Sequence, residues 1–65
     1  MALLLSSTDL AIAIAAKRGT LRLVTRASRL GGEYVAIEDD HGLIEVHNSA
    51  DEAQDRVASI QKRAA

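Results

Sequence analysis

Three observations predict an α+β fold, a three-stranded antiparallel meander with a C-terminal helix packed on one face. Residues 49–63 repeat apolar side chains at three- and four-residue spacing, the period of an amphipathic helix. Residues 20–27, 33–39 and 43–47 alternate apolar and polar side chains, as half-buried strands do. Between them lie Ser28-Arg-Leu-Gly-Gly32 and Asp39-Asp-His-Gly42, residue types that turn a chain back on itself. The 65 residues make a single small domain, 1–65. A chain of that length buries only about 60% of its unfolded surface, so its core is marginal.

The first element carries two readings. Ser6 with Asp9, or Ser7 just inside, offers an N-cap, four alanines between Ala11 and Ala16 favour helix, Lys17 and Arg18 suit the last turn, and Gly19 suits a left-handed terminus. The alternative is a fourth strand: Leu10, Ile12, Ile14 and Ala16 alternate with other residues, and a turn at Arg18-Gly19 sets Ile14 opposite Leu23. Alanine's propensity favours the helix. In that helix Ile12 and Ile14 stand about 200° apart, so it is apolar nearly all round. A second subunit is the simplest cover, which makes a homodimer through Leu10–Ala16 an expectation.

In the first strand Leu21, Leu23 and Thr25 share one face and Arg22, Val24 and Arg26 the other. In the second, Val35 and Ile37 point in while Tyr34, Ala36 and Glu38 point out. A four-residue loop pairs Glu38 with Leu43 and Ile37 with Ile44, which turns Ile44 and Val46 inward and Glu45 and His47 outward. Arg22 and Arg26 then lie beside Glu38 and Glu45 on the outer face, where exposed cross-strand pairs contribute a few tenths of a kcal/mol each.

Ser49-Ala-Asp-Glu52 reads as a capping box, with the serine hydroxyl on an early helical N–H and the glutamate returning to the serine N–H. Ala50, Ala53, Val57, Ile60 and Ala64 form the stripe expected to cover Leu21, Leu23, Val35, Ile37, Ile44 and Val46. Acids in the first turns and Lys62 and Arg63 in the last complement the helix dipole.

Composition narrows the function classes. Cysteine and proline are absent, so no disulfide or cysteine-based metal site is available. Tyr34 is the one aromatic residue, which removes the stacking platforms of single-strand binders. The net charge of -1 hides a segregation. Lys17, Arg18, Arg22, Arg26 and Arg29 come first; Glu33, Glu38, Asp39, Asp40, Glu45, Asp51, Glu52 and Asp55 follow with no Lys or Arg among them. The N-terminal stretch lacks a basic region and Asp9 interrupts its apolar run, so it reads as neither signal peptide nor membrane span. The expected location is cytoplasmic.

Each chemical motif has a plainer reading. His41 and His47 with Asp39 and Asp40 fit no metal-ligand spacing; His41 belongs to a turn tip and His47 to a strand end. Asp39 and Asp40 are adjacent turn residues that diverge, unlike carboxylates facing across a substrate. Gly31-Gly32 lacks the Gly-Lys-Ser/Thr and helix of a phosphate loop. No cofactor, metal or catalytic residue is expected, and the chain reads as no enzyme. Two charged sets remain as binding candidates. Arg22, Arg26 and Arg29 offer a basic strand for nucleic-acid phosphates. Glu38, Asp39, Asp40, Glu45, Asp51, Glu52 and Asp55 form one negative patch if the hairpin tip and the helix start are close.

The segment Arg56-Val-Ala-Ser-Ile-Gln-Lys-Arg-Ala64, after a Gly-Leu-Ile strand, resembles the tail of the small YegP-like repeat proteins, which have a strand, a Gly-centred turn, a second strand and a helix ending in a Gly-Ile-x-Ser-Val-Lys-like pattern. The resemblance covers Tyr34 to Ala64. The strand-to-helix connection is shorter here, Arg56 stands at the family's glycine, and the family's tyrosine is absent. It implies a three-stranded sheet with a packed helix and no particular chemistry.

The functional expectation is a non-enzymatic protein-interaction module. Its sharper form is a small inhibitor of the kind phages and mobile elements encode, whose acidic face blocks a nucleic-acid-binding partner. Direct nucleic-acid binding through the three arginines and a purely structural homo-oligomer are the alternatives.

Overall fold

The computed structural model describes residues 5–64. Its order is α1 (Ser7–Arg18), β1 (Arg22–Ala27), β2 (Glu33–Asp39), β3 (Gly42–His47) and α2 (Ala50–Ala64). The N-terminal element is therefore the helix and not the strand. Ser6 caps it: its Oγ accepts the Asp9 N–H at 3.0 Å, and the Asp9 carboxylate accepts the Ser6 N–H at 3.3 Å. At the other end Gly19 adopts φ 77, a left-handed conformation, and the Gly19 and Thr20 N–H groups bond back to Ala16 at 3.3 Å and Ala15 at 3.0 Å.

The strands form an antiparallel meander in the order β1-β2-β3. β1 pairs with β2 without interruption, Arg22 opposite Glu38 through to Ala27 opposite Glu33. β2 and β3 start as the turn chemistry predicts, Glu38 opposite Leu43, though Asp39 and Gly42 also pair and shorten the connection to Asp40 and His41. The register then shifts between Ile37 and Glu38, so that Ile37 faces Glu45 and not Ile44. Ile44 is the extra residue of a β-bulge. Because side chains alternate, one extra residue exchanges the faces of everything beyond it. Val46 falls opposite Ala36 on the outer face, 53% exposed. Glu45 and His47 share the inner face with Ile37 and Val35, the reverse of the sequence expectation for all three residues.

Both helices lie on that inner face. The buried cluster is Ile12 of α1, Val35 and Ile37 of β2, and Ala53 and Ile60 of α2, with Ala13, Leu21, Ile44 and Val57 packed half-buried against it. Burying each of the three isoleucines contributes about 1.5–3 kcal/mol. Of the predicted stripe of α2, Ala53, Val57 and Ile60 pack inward while Ala50 and Ala64 are exposed, and its cover differs: Ile12 takes part, Val46 does not, and Leu23 remains 36% exposed on the edge strand. Within α1, Ile12 and Ala15 are buried, so Leu10 and Ile14 are the two large apolar side chains it leaves outward.

Candidate interaction surface

β3 and α2 fix the positions of the predicted acidic set. Because α2 follows β3 through a short connection, its first turn lies at the end of β3 opposite the β2–β3 turn, one strand length of roughly 17 Å away. The set therefore divides. Asp39 and Asp40 belong to the turn end, Asp51, Glu52 and Asp55 to the other, and Glu38 and Glu45 lie on the strands between on opposite faces. The two ends do not merge into one patch.

Several of these carboxylates already hold a cation. Arg26 grips Glu38 with two hydrogen bonds, at 2.7 and 2.9 Å, and holds its carboxyl below the ordinary value. That pair spans Ala36, which lies between Tyr34 and Glu38 on the outer face and is fully buried. Arg22 donates to Asp40 at 3.3 Å and to the Asp39 carbonyl at 2.9 Å. Asp39 Oδ1 accepts the His41 N–H at 2.9 Å, which ties down the turn. Of the three arginines in the basic candidate set, Arg22 and Arg26 are thus in ion pairs; Arg29 is exposed in the β1–β2 loop and enters none among the described residues.

Under the helices the bulge creates a second ionic region. Arg56 Nε donates to Glu45 Oε1 at 2.8 Å, one of its terminal nitrogens reaches Glu45 Oε2 at 3.3 Å, and the same nitrogen bonds Asp9. Arg63 also reaches Asp9, at 3.4 Å. His47 Nε2 lies 2.6 Å from Glu45 Oε1, and its Nδ1 lies 3.6 Å from Glu52 Oε1. The capping box at α2 is consequently only half formed: Ser49 Oγ accepts the Glu52 N–H at 3.2 Å, while the Glu52 side chain turns to His47. Arg56 above all holds Asp9 and Glu45 below their ordinary carboxyl values, helped by the Ser6 N–H at Asp9 and by His47 at Glu45, against the opposing effect of desolvation. Two guanidiniums neutralise two carboxylates here, so the seam joins α1, β3 and α2 and presents little field to the outside.

Asp9, Arg56 and Arg63 were absent from every candidate set. The signal for the arginines was in the helix: Arg56 stands three residues after Ala53 and four before Ile60, and Arg63 three after Ile60, so both border the apolar stripe. An arginine held there needs an acid across the interface.

The surface has no deep cleft among its best-formed grooves. An open groove of about 300 Å³ runs between α1 and the β2–β3 turn, lined by Ala11, Ile14, Arg18, Asp39, Asp40 and His41. Among the described residues no group of three or more His, Asp and Glu side chains is placed to hold a metal ion, and no helix is long and apolar enough to cross a membrane. Comparison with family models, curated proteins and solved structures returns no match.

Proposed function

We propose that this chain is a non-enzymatic protein-interaction module whose acidic α2 end occupies a basic surface on a nucleic-acid-binding partner, as a stoichiometric inhibitor of the phage or mobile-element kind does. What supports the reading is the first two turns of α2. Asp51, Glu52 and Asp55 are solvent-exposed, and none of them is paired with an arginine or lysine among the described residues. Arg56 is committed to Glu45 and Asp9 and Arg26 to Glu38, which leaves Arg29, in the β1–β2 loop at the same end of the sheet, as one guanidinium outside any ion pair against three carboxylates among the described residues. The field at this end is therefore negative, and a partner's phosphate-binding groove is its electrostatic complement. Engagement of Arg22 and Arg26 in ion pairs disfavours direct nucleic-acid binding.

Capture from lysate of the source cell tests the reading, comparing the wild type with Asp51→Asn/Glu52→Gln/Asp55→Asn. The wild type retains a basic nucleic-acid-binding protein that added duplex DNA displaces, and the triple variant, folded by circular dichroism, does not. Equal retention by the variant, or a mobility shift of duplex DNA by the purified chain at low salt, contradicts it.

A further inference from the structure

Most of α1 is accounted for by this chain alone, but its outward side is not. Leu10 is 49% and Ile14 43% exposed, four residues apart on one face. Ala11 lies beside them, and Leu43, 61% exposed, lines the groove that continues along Ser7, Ala11 and His41. Single exposed aliphatic residues are ordinary; here Ile14 and Leu43 line one helix–hairpin furrow, and Leu10 stands one turn from Ile14 on the same helix face. We propose that this furrow and the outward side of α1 are a two-fold interface with a second copy of this chain.

Two features select a second copy over another occupant. First, an axis passing between Leu10 and Ile14 stacks each Leu10 on Ile14 of the other copy, and the small Ala11 beside them lets the helices approach closely. Second, the furrow's rim carries both signs, Arg18 on α1 and Asp39 and Asp40 on the turn. A partner of one sign meets like charge on half of that rim, whereas an antiparallel copy brings its own opposite charges. This surface is separate from the acidic end of α2, so failure of either assignment leaves the other standing.

Sedimentation equilibrium from micromolar to millimolar concentration tests it on the full chain. The wild type dimerises, and Ile14→Lys raises the dimer dissociation constant on the order of a hundredfold, since two-fold symmetry applies each substitution twice. Leu43→Lys, on the hairpin side and independent of helix folding, also weakens the dimer, while Leu30→Lys in the distant β1–β2 loop leaves it intact. A wild-type monomer at every concentration overturns the proposal. So does a dimer that Ile14→Lys and Leu43→Lys both leave unchanged, or one that only a substitution on the outer sheet face, such as Val46→Lys, disrupts.

Discussion

The two hairpins of this sheet share their central strand and differ by one residue. β1 follows β2 in an unbroken register, and its charges stay where simple alternation puts them: Arg22 and Arg26 remain on the outer face with Glu38 and Asp40. β3 carries the extra Ile44, and beyond it Glu45 and His47 pass under the helices while Val46 is turned out. The β1 hairpin consequently keeps its ion pairs within the sheet, on the face that no helix covers, and the β3 hairpin supplies a carboxylate that α2 and α1 grip through Arg56. A bulge has made a connection between layers out of what alternation alone would have left as surface decoration.

The largest effect separates the two hairpins by their cover. Ile60→Asp puts a carboxylate into the fully buried cluster beneath β2 and α2 and abolishes the cooperative thermal transition. Leu23→Asp, on the same face but on the edge strand at 36% exposure, leaves a folded protein with a lowered midpoint. Ile60→Ala, a milder form, costs about 2–5 kcal/mol by denaturant titration.

The two ionic regions come next. Arg56→Met leaves Glu45 and Asp9 without their main partner and costs about 1–3 kcal/mol by urea titration. Arg26→Met, which removes the grip of one half-exposed guanidinium on a single carboxylate, Glu38, produces a smaller loss that added salt diminishes further.

Acid sharpens the contrast. Glu45 and Asp9 are held below their ordinary carboxyl values, so their contribution is fully present above the unfolded value of about 4 and disappears as pH falls through the lowered folded values. The stability difference between wild type and Arg56→Met should therefore shrink as the pH is lowered from neutrality into that range. A difference that persists unchanged in acid removes the ionic explanation for the cost of the substitution.

The smallest effect is the most specific to the bulge. Val46→Thr, on the outer face, changes stability by less than about 0.5 kcal/mol, whereas a core valine in the unbulged register costs distinctly more because the hydroxyl is buried without a partner.

Much of this fold was legible because its signals are local. Ser6 and Asp9, the alanines and Gly19 specify α1; the alternation and the two turn clusters specify the meander; Ser49 and the Ala53–Val57–Ile60 spacing specify α2. The bulge was not legible because Ile44 and Val46 satisfy a regular alternation unaided. Both registers bury Ile37, and the choice between them depends on Arg56 and Asp9, which come from elements on either side in sequence. The acidic set was visible as composition, but its division followed from geometry: a strand leading directly into a helix separates the turn from the helix start by the strand's own length. Arg56 was the available clue, a guanidinium bordering a buried stripe.

The most direct test of the bulged register is the pattern of cross-strand contacts between β2 and β3 in solution, read from inter-strand proton Overhauser effects. The predicted pattern has Ile37 opposite Glu45, Ala36 opposite Val46 and the His47 ring against the first turn of α2. Ile37 opposite Ile44, with Val46 in contact with Ile60 and His47 facing solvent, would contradict it.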